Sequence, residues 1–265
     1  IFMRYNHDAP EWAGEPLDGR TLLVHTEQGF GDSIQFVRYL PLLQARGAGR
    51  VILDECPPEL AVLLRTAPGV DELVVRGETP PPFHLHTYLL SLPGLLGTTL
   101  ETVPCEVPYL TAPDRPIATA IRRQGHGLRV GLAWGGNPSQ HRDRMRSVGL
   151  ERLAPILATQ GVTFYSLQKG PAAGQVECAG DSELVNLERV LGDFADTAAA
   201  IAALDLVITV DTSVAHLAGA LGKPVWVLLP HVACWRYLLN REDSIWYPTM
   251  RIFRQDMPNE WSPPV

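Results

Sequence analysis

The stretch LVITVDTSVAHLAGALGKPVWVLL, residues 206–229, switches its hydrophobic pattern twice. Leu206 to Val210 is a β-branched run of strand length, Val214 to Leu221 has helical spacing with Ala and Gly on one side, and Val225 to Leu229 is a second buried-strand run. Strand, helix and strand in that order predict one unit of a parallel sheet. Asp211-Thr212-Ser213 falls between the first strand and the helix. Hydroxyls and free backbone N–H groups therefore gather at a helix N-terminus, at the carboxyl end of a strand, where an anion is stabilised. The same triplet would also serve as a plain N-cap. His216 follows Thr212 by one helical turn, which predicts an imidazole over the same end of the sheet rather than in the core. Gly219 and Gly222 then allow close packing, and Lys223-Pro224 stops the helix.

Working outward, the chain of 265 residues is 46% apolar with a mean hydropathy near zero, the composition of a soluble globular protein of one large or two ordinary domains. A net charge of −7 argues against a general nucleic-acid surface, which needs a basic excess. Cys56, Cys105, Cys178 and Cys234 have neither metal-ligand spacing nor the density of a disulfide framework, so they read as reduced thiols of a cytoplasmic protein. No apolar run is long enough to span a bilayer, and no signal peptide is recognisable. The chain begins with Ile1 rather than Met, which points to an upstream portion.

Residues 1–20 read as a lead-in segment. Strands are expected at Thr21 to His25, Val51 to Leu53, Leu73 to Val75 and Leu85 to Leu90, with a helix marked by Ile34, Val37, Leu40 and Leu43 and another at Pro57 to Leu64. That alternation is the pattern of a doubly wound α/β domain over residues 1–112. Pro104, Pro108, Pro113 and Pro116 cluster where the period fades, so residues 113–127 are expected to form a hinge. Alternation resumes over 128–265: strands at Arg129 to Ala133, Thr163 to Leu167 and Arg251 to Phe253, and helices at Leu150 to Leu157 and Phe194 to Leu204, besides the opening unit. Two Rossmann-like domains with a cleft between them are the expected architecture.

The turn Glu27-Gln28-Gly29-Phe30-Gly31-Asp32 follows the first strand. Gly29-Phe30-Gly31 imitates the opening of a dinucleotide fingerprint, with Asp54 or Glu55 near the place of a ribose-binding acid. Ile34 stands where the third glycine belongs, and the Asp32 carboxylate occupies the helix end that a pyrophosphate would approach. The alternatives are an ionised, exposed Asp32 that accepts a proton from a hydroxyl nucleophile, or a helix cap without chemistry.

In the second half, the loop Trp134-Gly135-Gly136-Asn137-Pro138 to Ser147 carries His141, Arg142, Arg144 and Arg146. A charge run is by itself a solvated face. This one leaves the carboxyl end of a strand, as do Ser166-Leu167-Gln168-Lys169-Gly170 and the Asp211 loop. Guanidinium, ammonium, hydroxyl and backbone donors on one rim suit a diphosphate.

These residues carry a resemblance. From about Trp12 to Trp261 the sequence is similar to family 9 glycosyltransferases, the bacterial heptosyltransferases, and especially to the branch found downstream of tetratricopeptide repeats in longer proteins. Its most specific pieces are Gly31-Asp32 and Asp211-Thr212-Ser213-Val214-Ala215-His216. The resemblance implies a GT-B fold, with the acceptor on the first domain and an ADP-linked or other nucleotide-sugar on the second. It implies Asp32 as catalytic base, with Glu27, Gln28, Gly29 and Gly31 on the acceptor side. It implies donor binding by Asn137, Arg146, Gln168, Lys169, Asp211, Thr212, Ser213 and His216. Arg146 stands where many members have Lys, the helix after Gly31-Asp32 runs on to Pro41, and the family's closing C-terminal helix is not found in this sequence.

The expected reaction is a single inverting displacement of a nucleoside diphosphate by an acceptor hydroxyl, with no cofactor and no metal, the positive groups serving in its place. Asp143 and Asp181 are the weak candidates for a metal. The acceptor class is a glycan, a lipopolysaccharide core or a protein side chain. An upstream tetratricopeptide region is the implied partner, and nucleic acid is not expected. The rival classes are a catalytically silent nucleotide-sugar or peptide-binding interaction module attached to an upstream repeat domain, and a nicotinamide-dependent oxidoreductase.

Overall fold

The computed structural model describes residues 8–124, 127–141, 143–178 and 184–262. Two compact units emerge: one up to Pro104 together with Tyr109–Thr111, the other Cys105–Pro108 and the chain from Ala112 onward.

The first unit is a four-stranded parallel sheet of β1 (Thr21–His25), β2 (Arg50–Cys56), β3 (Glu72–Val75) and β4 (Leu85–Tyr88), ordered β3-β2-β1-β4. Leu22, Leu23 and Val24 of the central strand β1 are fully buried, which is why that strand is a continuous apolar run rather than an alternating one. The lead-in segment is part of this unit: Trp12 and Leu17 are buried, and the Trp12 N–H donates to the carbonyl of His86 at 2.8 Å.

The apolar stripe Ile34, Val37, Leu40, Leu43 is buried as expected, but not on one helix. It runs through α1 (Phe30–Phe36), a 3₁₀ turn (Val37–Tyr39) and α2 (Leu40–Ala45). Pro41 causes the break, because it has no N–H for the carbonyl of Val37, which instead accepts from Leu40. The expected helix at 150–157 divides for the same reason at Pro155, into a 3₁₀ turn (Leu150–Leu153) and a short α-helix. Helices α3 (Pro58–Leu64) and α4 (Leu92–Leu95) complete the first unit.

The second unit contains α5 (Pro116–Gln124), β5 (Leu128–Ala133), α6 (Asp143–Arg146), α7 (Ala154–Leu157), β6 (Val162–Ser166), β7 (Leu184–Asn186), α8 (Phe194–Ala203), β8 (Leu206–Val210), α9 (Ser213–Ala220), β9 (Val225–Leu229) and β10 (Met250–Arg254). Its six strands are parallel and ordered β10-β9-β8-β5-β6-β7. Read from the β7 edge with β5 as first strand, this is third, second, first, fourth, fifth, sixth, the doubly wound order of dinucleotide-binding sheets. Strand β7, three residues long, gave no periodic signal. Helix α5 lies inside the stretch expected to be a hinge; Pro116 occupies its first position, where a missing N–H costs nothing, and Ile117, Ala118 and Ile121 are buried as it packs on α8.

Among the described residues no helix is long and apolar enough to cross a membrane. Cys56, Cys105 and Cys234 are free thiols.

Candidate functional site

In an open α/β sheet, ligands bind outside the carboxyl ends of the strands where the strand order reverses. That point lies between β1 and β4 in the first unit and between β5 and β8 in the second. The loops after those four strands hold most of the residues singled out from sequence.

In the first unit, Gln28 has a left-handed backbone (φ 63°) that turns the chain into α1, with Gly29 as its N-cap. Asp32, half-buried at the third helical position, folds back so that Oδ2 accepts the Gly29 N–H at 2.9 Å. A Cβ on residue 29 would crowd that oxygen, so the glycine makes room for the carboxylate. The carboxylate is thus a capping group at the N-terminal end of α1.

Glu27 reaches across the reversal point, accepting the Leu90 N–H just beyond β4 at 3.3 Å. Burial pushes its carboxyl pKa up; the Leu90 bond opposes this, the negative charge of Asp32 adds to it, and His25 opposes it. His25, at the end of β1, is fully buried with Nδ1 3.0 Å from Asp54 Oδ2. Asp54 is therefore paired in the interior and Glu55 faces Arg76 at 3.5 Å, so neither takes the ribose-binding place that the dinucleotide reading gave it. The His25–Asp54 pair itself was not foreseen.

In the second unit a chain of hydrogen bonds spans the reversal point. The Gly136 N–H donates to Ser147 Oγ (2.9 Å), the Ser147 hydroxyl to Asp143 Oδ2 (3.0 Å), and Arg146 Nε to Asp143 Oδ1 (3.1 Å). Arg146 Nη1 then donates to the carbonyl of Asp211 at 2.9 Å. A Cβ at 136 would push aside the ends of the Asp143 and Arg146 side chains, so the glycine leaves room for this chain of bonds. Asn137 is exposed on the same loop and its Oδ1 accepts the Ser139 N–H at 3.0 Å. Arg142 and Asp181 lie outside the described residues. Thr212 caps α9, Oγ1 accepting from Val214 at 3.3 Å, and Ser213 is the first residue of that helix.

Three residues are placed otherwise than expected. Gln168 is buried with its amide spent on the backbone: Oε1 accepts from Trp134 (2.9 Å) and Gly135 (2.8 Å), and Nε2 donates to the carbonyls of Gly135 (3.0 Å) and Lys169 (2.9 Å). It is a clamp between the β5 and β6 loops. Lys169 turns its ammonium to the carbonyls of Glu188 and Leu191, both at 2.8 Å, where the end of a 3₁₀ turn leaves acceptors open. His216 is 6% exposed, with Nδ1 3.0 Å from the Tyr247 hydroxyl, rather than standing clear of the core. Asp211 is likewise held, Oδ1 accepting from Tyr237 at 2.9 Å.

A cavity of about 540 Å³ opens beside this chain of bonds, lined among others by Gly135, Gly136, Arg144, Ser147, Pro171 and Gln175. Its size suits a nucleoside-sized ligand. Among the described residues no group of three or more His, Cys, Asp or Glu is disposed to hold a metal ion.

The stretch at the centre of this site has known counterparts. Residues 171–228 match the family model described as Glycosyltransferase family 9 (heptosyltransferase). The match takes in β7, α8, β8, Asp211 to His216 and α9. Protein FlbA of Caulobacter vibrioides is 29% identical across 98% of this chain, and the chain spans 47% of FlbA. Among solved structures, the family 9 glycosyl transferase of Veillonella parvula superposes with a TM-score of 0.64 at 14% identity, over 96% of this chain and 91% of that one. The E. coli ADP-heptose lps heptosyltransferase II does so with 0.60 at 15% identity, over 88% and 89%. The fold is that of the GT-B heptosyltransferases.

Proposed function

We propose that the chain is a glycosyltransferase that moves a sugar from a nucleoside diphosphate to an acceptor hydroxyl by a single inverting displacement, without a metal. The observation that carries this is the Arg146–Asp211 link, which brings a guanidinium to the N-terminal end of α9 at the strand-order reversal of the second unit. A guanidinium held in place beside a helix N-terminus is what a departing diphosphate needs. Arg146 Nη2 and the Ser213 N–H would stabilise it, with Asn137 at the loop edge and the nucleoside in the adjacent cavity. Gln168 and Lys169 then act through the loops they fasten rather than on the phosphates.

In the first unit, Asp32 takes the proton of the acceptor hydroxyl as its oxygen attacks the anomeric carbon. The bond to the diphosphate oxygen breaks in the same step. Gln28, Gly29 and Gly31 shape the turn that presents Asp32. The family match over 171–228 and the fold support a hexosyl or heptosyl donor, and the name of the E. coli relative supports an ADP-linked one. A glycan, lipopolysaccharide-core or protein acceptor, an upstream tetratricopeptide region and a cytoplasmic setting belong to the same proposal and rest on the sequence resemblance.

The test is a thermal-shift panel of ADP, UDP, GDP and dTDP and their sugar conjugates, followed by a turnover assay with whichever donor binds. Binding with release of diphosphate supports the transferase. Binding without turnover on any offered acceptor class points to the silent module, and no binding refutes the donor site.

A further inference from the structure

Two tyrosines from the segment between β9 and β10 end on the polar side chains of the Asp211–His216 stretch. Tyr237, buried at 3% exposure, donates its hydroxyl to Asp211 Oδ1 at 2.9 Å. Tyr247, at 1% exposure, lies with its hydroxyl 3.0 Å from His216 Nδ1, and its ring is tilted 5.8 Å from the imidazole. The two contacts are built in. A Cβ on Gly219 would run into the Tyr247 ring, so helix α9 has a gap cut for it. The segment is tied down by Trp246, whose Nε1 donates to the Arg236 carbonyl at 3.1 Å, and by the Met250 N–H donating to the Tyr247 carbonyl at 3.0 Å.

Core filling alone would need neither hydroxyl, since phenylalanine has the same ring. Each hydroxyl instead ends on a different polar group of one short stretch, five residues apart. Burial, followed by the negative charge of Asp211 and the bond to it, raises the ionisation of Tyr237 well above the ordinary range, so that it remains a donor throughout the working pH range.

We propose that Tyr237 and Tyr247 are positioning residues for the donor site: Tyr237 orients the Asp211 carboxylate, and Tyr247 donates to His216 Nδ1 and so keeps the imidazole proton on Nε2. Each tyrosine acts through the group it holds: Asp211 lies in the loop that leads into α9 and His216 in the first turns of that helix, so fixing both side chains fixes the helix end at which the diphosphate is proposed to bind. The inference rests on the donor site proposed above and assigns it a supporting shell that neither residue's local sequence announces.

The experiment compares wild type with Tyr237→Phe, Tyr247→Phe and Gly219→Ala. Each is titrated calorimetrically with whichever of ADP, UDP, GDP or dTDP binds the wild type. Histidine ring ¹⁵N spectra report the His216 tautomer, and thermal melts report folding. Each Phe variant should bind about tenfold more weakly, the usual consequence of losing one hydrogen bond to a charged or polarised group. Tyr247→Phe should also mix the His216 tautomers, and Gly219→Ala, by pushing the ring away, should reproduce both effects. Phe variants that melt lower but bind like wild type, with an unchanged His216 spectrum, would overturn the proposal. A wild type that binds none of the four nucleotides removes the donor-site reading itself, and the inference with it.

Discussion

Arg146 Nη1 sits 2.9 Å from the main-chain oxygen of Asp211, so a side chain from the loop after β5 is fastened to the backbone of the loop after β8. The first unit repeats the device with opposite charge: Glu27, after β1, holds the backbone N–H of Leu90, after β4. Both links cross the place where strand order reverses, where the diverging loops would otherwise splay apart. One sets a guanidinium, paired with Asp143, and the other a carboxyl group at the end of its sheet, the groups on which the proposed donor and acceptor sites draw.

Removing the cation should weaken the donor site more than the fold. Arg146→Ala should lower nucleoside-diphosphate affinity by roughly 10- to 100-fold, the range for losing a hydrogen bond to a charged group. Arg146→Lys should fall between, because one ammonium cannot reproduce the fork that serves both Asp143 and Asp211. Calorimetric titration checks this, and equal affinity for all three proteins would remove Arg146 from the site.

Glu27 gives a pH-dependent prediction. Its folded-state pKa lies above the ordinary value of 4.5, so the folded chain binds its proton more tightly than the unfolded one. Stability from this group is therefore greatest at low pH and is lost as pH rises from about 4.5 through the raised folded-state value. Glu27→Gln removes the ionising group while keeping an acceptor for Leu90. It should melt with wild type well below pH 4.5 and above wild type near neutrality, by no more than about 1 kcal/mol because the carboxylate is only half-buried. Melts from pH 3 to 8 decide it; a variant less stable than wild type at neutral pH contradicts the assignment.

Gln168 should behave as a structural clamp. Gln168→Glu can still accept from Trp134 and Gly135 but cannot donate to the carbonyls of Gly135 and Lys169, and it buries a charge. It should cost on the order of 2–4 kcal/mol in stability, from unsatisfied buried groups and a desolvated carboxylate. Denaturant unfolding measures this, and a loss of nucleotide affinity without a loss of stability would return Gln168 to the ligand.

Asp211 to Ser213 and the Gly31-Asp32 turn were legible because each marks an abrupt change of period, from strand to helix, that the chain itself displays. The directions of Gln168, Lys169 and His216 were not. Their partners lie on other elements: Lys169 meets carbonyls 19 and 22 residues on, and His216 a hydroxyl 31 residues on. Periodicity places a side chain on an element but does not say which neighbour competes for its donors. Tyr237 and Tyr247 escaped notice for the same reason, standing in an irregular segment with no period at all. Pro41 and Pro155 were visible, but the apolar stripe around each continued in register and concealed the break.

The sharpest test of catalysis falls on Asp32. Asp32→Asn keeps the size of the side chain, and its amide oxygen can still accept the Gly29 N–H that the carboxylate now holds at 2.9 Å. The cap and the fold should survive, so melting should change little. The amide cannot take a proton from an acceptor hydroxyl, so transfer should fall by roughly two to four orders of magnitude, the range for loss of a general base. Nucleotide affinity should hold, because the donor is assigned to the other unit. Glu27, which feels the negative charge of Asp32 from within the same turn, is the remaining carboxylate there that could take over the proton. The measurement is transfer rate and nucleotide affinity for Asp32→Asn and Glu27→Gln side by side. Full transfer by the first with collapse in the second would move the base to Glu27.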